Sequence, residues 1–322
     1  MQSPSRLTSP VLIPPSVGGI NAVSSPMSMP RTDAKVLENF IAYPDRLALR
    51  PGCSDWVTGF SSEVNRLWNY ATLTGGEELY ATTDDGVFDA TTSGVVGAAV
   101  IALTNGKTLG AILSTGANTY LTLVNGTDTA KQYDGAAWSS IAAFGGTATS
   151  EYNAIETYRQ RYFLIRKNSL YLEYLAANAI TGAATQYNLG SYFRRGGYLV
   201  GLATWTIDGG AGPDDHLAVC TSNGEIVIFS GPDPAVWSLR GVYYLGRPLG
   251  NRCFFKYGGD LLYACEAGIF PLSRALLTAS IDRTQAVSQK IQSLYSAAAA
   301  SGAALDGWQI MAQPDIPLLV AN

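Results

Sequence analysis

A strand–turn–strand unit occurs five times along the chain, and this repetition constrains the fold more than any other feature. In each unit an apolar run rich in Val, Ile, Leu, Tyr and Thr leads into a tight turn of Gly, Asn or Asp, and a second apolar run follows. Such turns are typical of hairpins, because Asn-Gly and Asp-Gly supply the positive φ angles that short connections require. The units lie at residues 75–91, 117–141, 159–175, 214–231 and 258–273.

The spacing of the units predicts how they are arranged. Neighbouring units start roughly 40 to 50 residues apart, which is the period of a β-propeller blade. A blade has two apolar faces, and stacking the blades around an axis buries these faces against each other. We therefore predict an all-β fold, β-propeller-like, with repeated antiparallel blades over residues 51–275. The second run of each unit carries an aromatic residue: Phe88, Tyr133, Tyr171, Phe229 and Phe270.

Residues 1–50 differ in composition from the blades. Seven prolines fall in this segment, and proline fixes φ and lacks an amide donor, which excludes a regular helix or a central strand. We predict an extended, proline-rich arm, with a disordered tail as the alternative. Apolar side chains in the arm need a surface to cover them, and we expect Val36, Leu37 and Phe40 to lie in a subunit interface.

The pattern changes again after Pro271. Val287, Ile291, Leu294 and Ala298 recur at helical spacing, which predicts a helical insertion at 276–302, with one helix of about four turns near 284–301. We expect its apolar stripe to pack on the domain. Residues 303–322 then resemble the start of a further β unit, inside which the chain stops.

Two pairs of residues carry local structural predictions. Trp138 follows an Asp-Gly turn, and we expect it to pack back on its blade, as we do for Trp237. Gly196 and Gly197 stand between two apolar runs, where glycine otherwise lowers stability. We therefore expect a sharp bend or a close approach to another strand at these two glycines.

The acidic candidates for chemistry are better explained by turns. Asp84-Asp85 and Asp214-Asp215 lie beside glycines or in loops, where an Asp side chain caps the turn. Asp282 is a further isolated candidate. We predict turn roles rather than a catalytic pair. The glycine-rich stretch at 208–212 lacks the strand–loop–helix context of a phosphate cradle.

Cysteine and histidine offer little chemistry. The four cysteines form no Cys-x-x-Cys pair, and we interpret all four as small buried hydrophobes: Cys53, Cys220, Cys253 and Cys265. The single histidine, His216, follows Gly-Pro-Asp-Asp, and we expect it to be solvated in a loop. One histidine makes a His-based triad improbable. We predict no catalytic residue, no metal site and no cofactor.

The charge balance also limits the function. The chain has 21 basic and 25 acidic residues, a net charge of −4, which argues against a protein whose main task is to grip phosphate backbones. Arg194-Arg195 is compatible with a DNA contact, but we favour a subunit interface. A second basic cluster lies at 159–167. No apolar stretch is long enough for a membrane span, and the N-terminus lacks the apolar core of a signal peptide.

Three long stretches of the chain resemble a known protein family. They are residues 14–52, which include VLENFIAYPDRLALRPG, residues 167–231, which include GSYFRRGGYLVGLATWTIDGG, and residues 233–276. In order and content they resemble the β-propeller tail hub or nozzle proteins of short-tailed double-stranded-DNA phages. The resemblance extends from about residue 13 to the C-terminus. Members of this family usually continue with further strands, so this chain is a piece of a longer propeller or a neighbour completes its last blade.

The resemblance implies a virion structural protein without enzymatic activity. Copies of the chain, six by resemblance, would form a ring below the head-to-tail adaptor, assembled in the host cytoplasm and in contact with tail fibre or other tail proteins. Phage DNA would pass through the channel without tight binding, so we expect a neutral or acidic surface towards the tail axis. The N-terminal arm would reach onto a neighbour or the adaptor, and Arg194 and Arg195 would face a neighbouring subunit.

Two alternatives from other functional classes stay open. A tail propeller that binds or cleaves host-surface glycans would need exposed aromatic rings at a propeller mouth or two facing carboxylates. An intracellular scaffold propeller would need neither, and it would not form a ring.

Overall fold

Five antiparallel sheets follow one another between Arg66 and Pro271 and are arranged as a β-propeller. This confirms the all-β, propeller-like fold predicted from the repeated units. The structure is a computed structural model that describes residues 13–72, 75–208, 213–274, 283–302, 308–313 and 318–321. Each sheet contains one predicted unit together with strands that the hairpin pattern did not reveal.

The strands before the first blade form small sheets of their own. β1 (Gly19–Ile20) pairs in parallel with β2 (Asp33–Ala34), and β3 (Phe40–Ala42) forms a hairpin with β4 (Leu47–Leu49). β5 (Val57–Thr58) follows them and pairs with a strand in the loop of blade 1. As predicted, the described part of the arm contributes no strand to a blade.

The first two blades have four strands each. Blade 1 consists of β6 (Arg66–Ala71), β7 (Glu77–Thr83), β8 (Gly86–Asp89) and β10 (Ile101–Ala102), while β9 (Gly94–Val95) is the partner of β5. Blade 2 consists of β11 (Leu109–Ser114), β12 (Thr119–Val124), β13 (Ala130–Tyr133) and β14 (Trp138–Ile141). A small hairpin follows, made of β15 (Ala143–Phe144) and β16 (Thr147–Ala148).

The remaining blades repeat the same antiparallel order. Blade 3 consists of β17 (Tyr152–Tyr158), β18 (Arg161–Arg166), β19 (Tyr171–Tyr174) and β20 (Thr185–Asn188). Blade 4 consists of β21 (Leu199–Asp208), β22 (Pro213–Thr221), β23 (Glu225–Ser230) and β24 (Ser238–Tyr244). Blade 5 has three strands, β25 (Phe254–Tyr257), β26 (Asp260–Cys265) and β27 (Gly268–Pro271).

The core of the propeller lies between neighbouring blades. The first strands of blades 2 to 5 contact each other in sequence around the centre, and a separate apolar cluster fills the space between each pair of consecutive blades. This is the arrangement expected when two-sided blades bury their faces against each other. Burial of apolar area at these interfaces is the main term that holds the propeller together.

The two tryptophans pack back on the sheets as predicted. Trp138 stacks on Tyr133 with ring centroids 5.2 Å apart and meets Tyr80 of blade 1 edge-on. Trp237 stacks on Phe229 at 4.9 Å and on Phe163 of blade 3 at 5.4 Å. Each tryptophan therefore joins an aromatic cluster that spans two blades.

Glycines occupy the positive-φ positions that the turns require. Gly196 and Gly197 have φ angles of 66° and 91°. These angles confirm the predicted bend. A Cβ added to Gly197 would stand 2.6 Å from the side chain of Ser222 in the β22–β23 turn, whereas one added to Gly196 would meet no heavy atom within 4 Å. Gly224 in the β22–β23 turn has φ 85°, and a Cβ there would lie 2.3 Å from the backbone carbonyl of Gly246.

We expect Gly224→Ala to destabilise the propeller more than Gly196→Ala. A Cβ on Gly196 meets no heavy atom within 4 Å, so the cost there is the positive φ alone, about 1 kcal/mol. At Gly224 the clash with Gly246 adds about 1–3 kcal/mol of overpacking. Chemical denaturation of the two variants checks this, and equal losses would show that Gly246 moves away freely.

The C-terminal helix is shorter than predicted, and the face that it packs against blade 5 is not the predicted one. Arg283–Gln285 and Gln289–Ile291 are single 3-10 turns, and α1 spans Gln292–Gly302. The expected stripe does not pack inward, because Val287 and Leu294 are exposed, whereas Tyr295 and Ala299 are buried against blade 5. The register was wrong because the large Tyr295 ring and small Ala299 fit the blade surface better than the aliphatic stripe.

A last hairpin lies beside the fifth blade. β28 (Ile310–Gln313) pairs with β29 (Leu318–Ala321), and β28 contacts β25. The Ile310 side chain is buried with Leu262 and Tyr295 in the cluster below α1. The hairpin therefore extends the propeller beyond its fifth blade.

Candidate functional site: the axial cavity and the N-terminal arm

A cavity of about 320 Å³ lies among the first strands of blades 2 to 5. Its walls are mostly apolar, with Leu109 from β11, Ile155 from β17 and Leu202 from β21. Asn251 and Arg252, in the segment before β25, add polar groups. Because inner strands of four blades meet here, a ligand in this axial cavity would contact four of the five blades.

One ion pair stands in the cavity wall. Lys256 Nζ lies 3.3 Å from Glu156 Oε1 and also donates a hydrogen bond to the Thr204 hydroxyl. The Glu156 side chain is three-quarters buried, and burial raises its pKa above the usual range, while Lys256 and Thr204 act in the opposite direction. Lys256 and Glu156 neutralise each other, so this part of the wall has no net charge.

Arg252 is the other charged group of the cavity wall. Its Nη1 is buried and has no hydrogen-bond partner among the residues that the structure describes. Burial and the neighbouring charge of Arg66 lower the pKa of Arg252 to about 9. The guanidinium is therefore a cation that the surrounding chain does not neutralise.

The N-terminal arm is tied to the segment that leads into α1. Lys290 Nζ lies 3.0 Å from Asp33 Oδ1 and donates to the Gly18 carbonyl, and the Ala22 amide donates to the Lys290 carbonyl at 2.8 Å. The Asp33 carboxylate also accepts a buried hydrogen bond from Asn21. These contacts fix the described part of the arm to the chain beside blade 5.

The arm leaves large apolar side chains uncovered. Val36 is 69% exposed and Phe40 is 42% exposed, while Leu37 is half-buried. Ile41 on the same hairpin is only 6% exposed, so the hairpin already packs one face on the chain and presents the other. Val36 and Phe40 are thus available to another surface.

Lowering the pH is expected to loosen the arm. The Asn21 hydrogen bond, together with Lys290, holds the pKa of Asp33 below its usual range despite burial. Such a carboxylate stabilises the fold above its unfolded pKa of about 3.9, and this contribution is lost as the pH falls through the lower folded value. Hydrogen-exchange protection of arm amides should therefore drop between about pH 5 and about pH 2.

Matched variants separate this effect from general acid unfolding. Asp33→Asn should reduce arm protection already at neutral pH, because a neutral amide no longer pairs with Lys290. Asp45→Asn removes an exposed carboxylate of the same arm, which pairs with its neighbour Arg46, and should leave protection unchanged. Equal protection in both variants would contradict the role of Asp33.

Arg194 and Arg195 lie in the connection between blades 3 and 4, with exposed side chains. Their backbone amides donate to the buried Glu225 carboxylate at 2.7–3.1 Å, and the Arg195 guanidinium stands 3.7 Å from the centre of the Tyr244 ring. The loop is thus fixed by Glu225, and Arg195 has a stacking partner within the chain.

The second basic cluster is largely neutralised within the chain. Arg159 pairs with Asp215 at 3.3 Å, and Lys167 pairs with Glu151 at 3.2 Å. Arg161 Nη2 lies 2.6 Å from Asp233 Oδ2 and joins blades 3 and 4. These contacts give three of its basic side chains structural partners in the same subunit.

Asp84 and Asp85 lie in the β7–β8 turn as predicted, whereas the loop prediction for Asp214-Asp215 was wrong, because both residues belong to β22 and pair with β21. Asp84 accepts from the Gly106 amide, and Asp85 accepts from the hydroxyls of Ser61 and Ser62, which lower its pKa. Asp215 pairs with Arg159 and accepts from Thr206, so it is tied to its own sheet. Asp282, the side chain of Asp214 and residues 209–212 of the glycine-rich stretch lie outside the described residues.

Two predictions about single residues were wrong. His216 is not solvated in a loop: it lies in β22, is 6% exposed and faces Trp205, because β22 starts at Pro213. Cys53 is exposed, whereas Cys220, Cys253 and Cys265 are buried as predicted. Cys53 precedes the blades, so no second sheet covers it.

The described residues contain neither a metal-binding cluster nor a membrane-spanning helix. They contain no group of three or more His, Cys, Asp or Glu side chains placed to hold a metal ion. Within the same part of the chain, no helix is long and apolar enough to cross a membrane.

The sequence reasoning missed the axial cavity. Glu156 and Lys256 each stand in a first strand, and neither was among the predicted site residues. The sequence feature that could have indicated the cavity is a single charged residue within an apolar or aromatic run, as in Phe-Phe-Lys-Tyr at 254–257. The predicted arm residues and the Arg194–Arg195 loop lie on different elements, without a contact between them among those described.

Comparison with known proteins supports no further assignment. No family model and no curated protein matches the chain. The structure of BBS1N in complex with ARL6DN aligns with a TM-score of 0.45 at 12% identity. The alignment covers 66% of this chain and 66% of the BBS1N chain, so this chain spans just under two thirds of that length. A proposed 6-phosphogluconolactonase from Bacteroides uniformis aligns with a TM-score of 0.40 at 14% identity over 72% of each chain. Similarity at these scores carries no argument about function.

Proposed function

We propose that this protein is a non-enzymatic structural component of the tail of a short-tailed double-stranded-DNA phage. Copies of the chain, six by resemblance, form a ring below the head-to-tail adaptor, and the genome passes through the central channel. The resemblance of residues 14–52, 167–231 and 233–276 to tail hub and nozzle proteins supports this function. The propeller fold is compatible with it.

The exposed apolar face of the arm is the observation that carries the proposal. Val36 and Phe40 lie four residues apart in the part of the arm that the structure describes, outside the blades, and Lys290 holds the arm in place. Exposed aliphatic and aromatic side chains on a fixed element favour burial against a partner. The occupant we propose is a second copy of this chain in the ring.

The charge distribution favours transit of DNA over retention by binding. The net charge is −4, and three side chains of one basic cluster pair within the chain. Each free Lys or Arg on a phosphate would add salt-dependent affinity and slow the sliding genome. The channel surface therefore contacts DNA weakly at physiological salt.

Two measurements test the proposal. The mass of the purified protein, by light scattering or native mass spectrometry, should be a multiple of the 34.1 kDa chain. Electron microscopy of particles labelled through an antibody to this chain should place it at the tail, below the adaptor. A stable monomer that never enters particles would contradict the proposal and favour the intracellular scaffold.

One observation favours a glycan-binding alternative. A cavity of about 420 Å³ beside β24 is bordered by Tyr192, Tyr243, Tyr244 and Arg194. Aromatic rings suit a sugar, and the exposed Arg194 could pair with an acidic one, although the Glu225 carboxylate also lines the cavity and the cavity lies on an outer strand rather than at a propeller mouth. Titration of the isotope-labelled protein with sialylated and neutral oligosaccharides distinguishes the two functions.

A further inference from the structure

The axial cavity combines an apolar wall with an unbalanced positive charge. Glu156 neutralises Lys256, so Arg252 gives the cavity wall a net positive charge. No carboxylate in the described part of the chain pairs with Arg252, and its buried Nη1 lacks a hydrogen-bond acceptor.

Arg252 is partly buried, its Nη1 is fully buried, and a guanidinium in such a place is costly without a counter-charge. Removing a charge from water is unfavourable unless a counter-charge or hydrogen bonds replace the lost solvent, and Arg cannot lose its proton at ordinary pH. The nearby charge of Arg66 adds repulsion. A bound anion would supply the counter-charge that the surrounding chain does not provide.

The geometry selects a small oxyanion. The planar guanidinium presents its donors as a fork that matches the oxygens of a phosphate or a carboxylate. The neighbouring Asn251 adds an amide to the same wall, and a volume of about 320 Å³ accommodates a small molecule but not a nucleic-acid strand. Most of the residues that line the cavity are apolar, which lowers the local dielectric constant and so strengthens the contact.

We propose that the axial cavity binds a small phosphate- or carboxylate-bearing anion through Arg252. The anion joins the inner strands of four blades and offsets the repulsion between Arg252 and Arg66. The site belongs to a single subunit, so it does not depend on the proposed ring or on the tail function.

The test compares anions at equal ionic strength. Inorganic phosphate at about 10 mM should raise the Tm of the wild-type protein by about 2–4 °C relative to chloride. Acetate, a single carboxylate, tests whether the site takes carboxylates as well. Arg252→Gln should bind phosphate at least about tenfold more weakly and, in chloride, should melt no lower than wild type, because the substitution removes an uncompensated charge.

A control and a second readout make the result decisive. Arg46→Gln changes an exposed arginine of the arm and should keep the full response to phosphate. In the wild-type protein, phosphate should shift the side-chain Nε–Hε resonance of Arg252, a measurement that needs no variant to fold. An unshifted resonance, or a response to phosphate that survives in Arg252→Gln, would overturn the proposal.

Discussion

Replacement of Phe229 by alanine is expected to lower the free energy of unfolding by about 3–5 kcal/mol, the cost typical of a buried phenylalanine. Phe229 is 1% exposed and lies at the centre of the aromatic cluster between blades 3 and 4. Its ring stacks on Trp237 at 4.9 Å and meets Tyr192 and Tyr187 edge-on at 5.2 and 6.2 Å. The stiff strands around it cannot close the resulting cavity.

The repeat itself supplies the matched control. Tyr171 is the aromatic residue that marks the second run of the 159–175 unit, but it is 38% exposed. Tyr171→Ala should therefore cost only about 1 kcal/mol. Urea unfolding followed by tryptophan fluorescence measures both variants. If the two substitutions cost the same, the space between blades 3 and 4 is not the tightly packed interface that the contacts indicate.

The contrast between Phe229 and Tyr171 shows what the sequence pattern could predict. Turn residues and β-branched runs reveal hairpins locally, so the second and third strands of every blade were found. Which aromatic faces a neighbouring blade depends on how the sheets stack, and that information is spread over residues far apart in the chain.

The candidate cavity was missed for a related physical reason. The first strands of the blades face the axis and a neighbour at once, so their sequences mix apolar and polar residues without a clean alternation. Tyr-Asn-Ala-Ile-Glu-Thr-Tyr in β17 is such a strand. Glu156 forms its ion pair with Lys256, which lies 100 residues later in the chain and 3.3 Å away in the fold. A local sequence pattern cannot predict such a contact.

The predictions for His216 and for the packing face of α1 were wrong because tertiary packing overrode local composition. The two aspartates before His216 resemble a loop, yet the long β21–β22 pairing extends to Pro213 and buries the imidazole beside Trp205. Helical spacing identified the stripe of Val287, Ile291 and Leu294, but a helix has two sides, and blade 5 accepts Tyr295.

The double substitution Val36→Ser/Phe40→Ser should weaken the self-association that we propose while leaving the propeller folded. Both side chains are exposed in the single chain, so their loss costs little folding energy. Burial of two such side chains against a neighbour stabilises each contact by about 2–4 kcal/mol, which corresponds to a dissociation constant about 30-fold to 1,000-fold higher for the double variant. Analytical ultracentrifugation over a concentration series measures this change directly.

A control variant must show that any weaker association comes from the arm and not from the loss of an exposed apolar side chain in general. Val95→Ser removes an equally apolar side chain that is 82% exposed on β9, outside the arm, and its dissociation constant should stay within about threefold of wild type. Circular dichroism and Tm should be the same for all three proteins, because Ile41 and the Asp33–Lys290 pair still hold the arm. If the double variant assembles as tightly as Val95→Ser, the arm does not form the subunit interface, and another surface must join the copies.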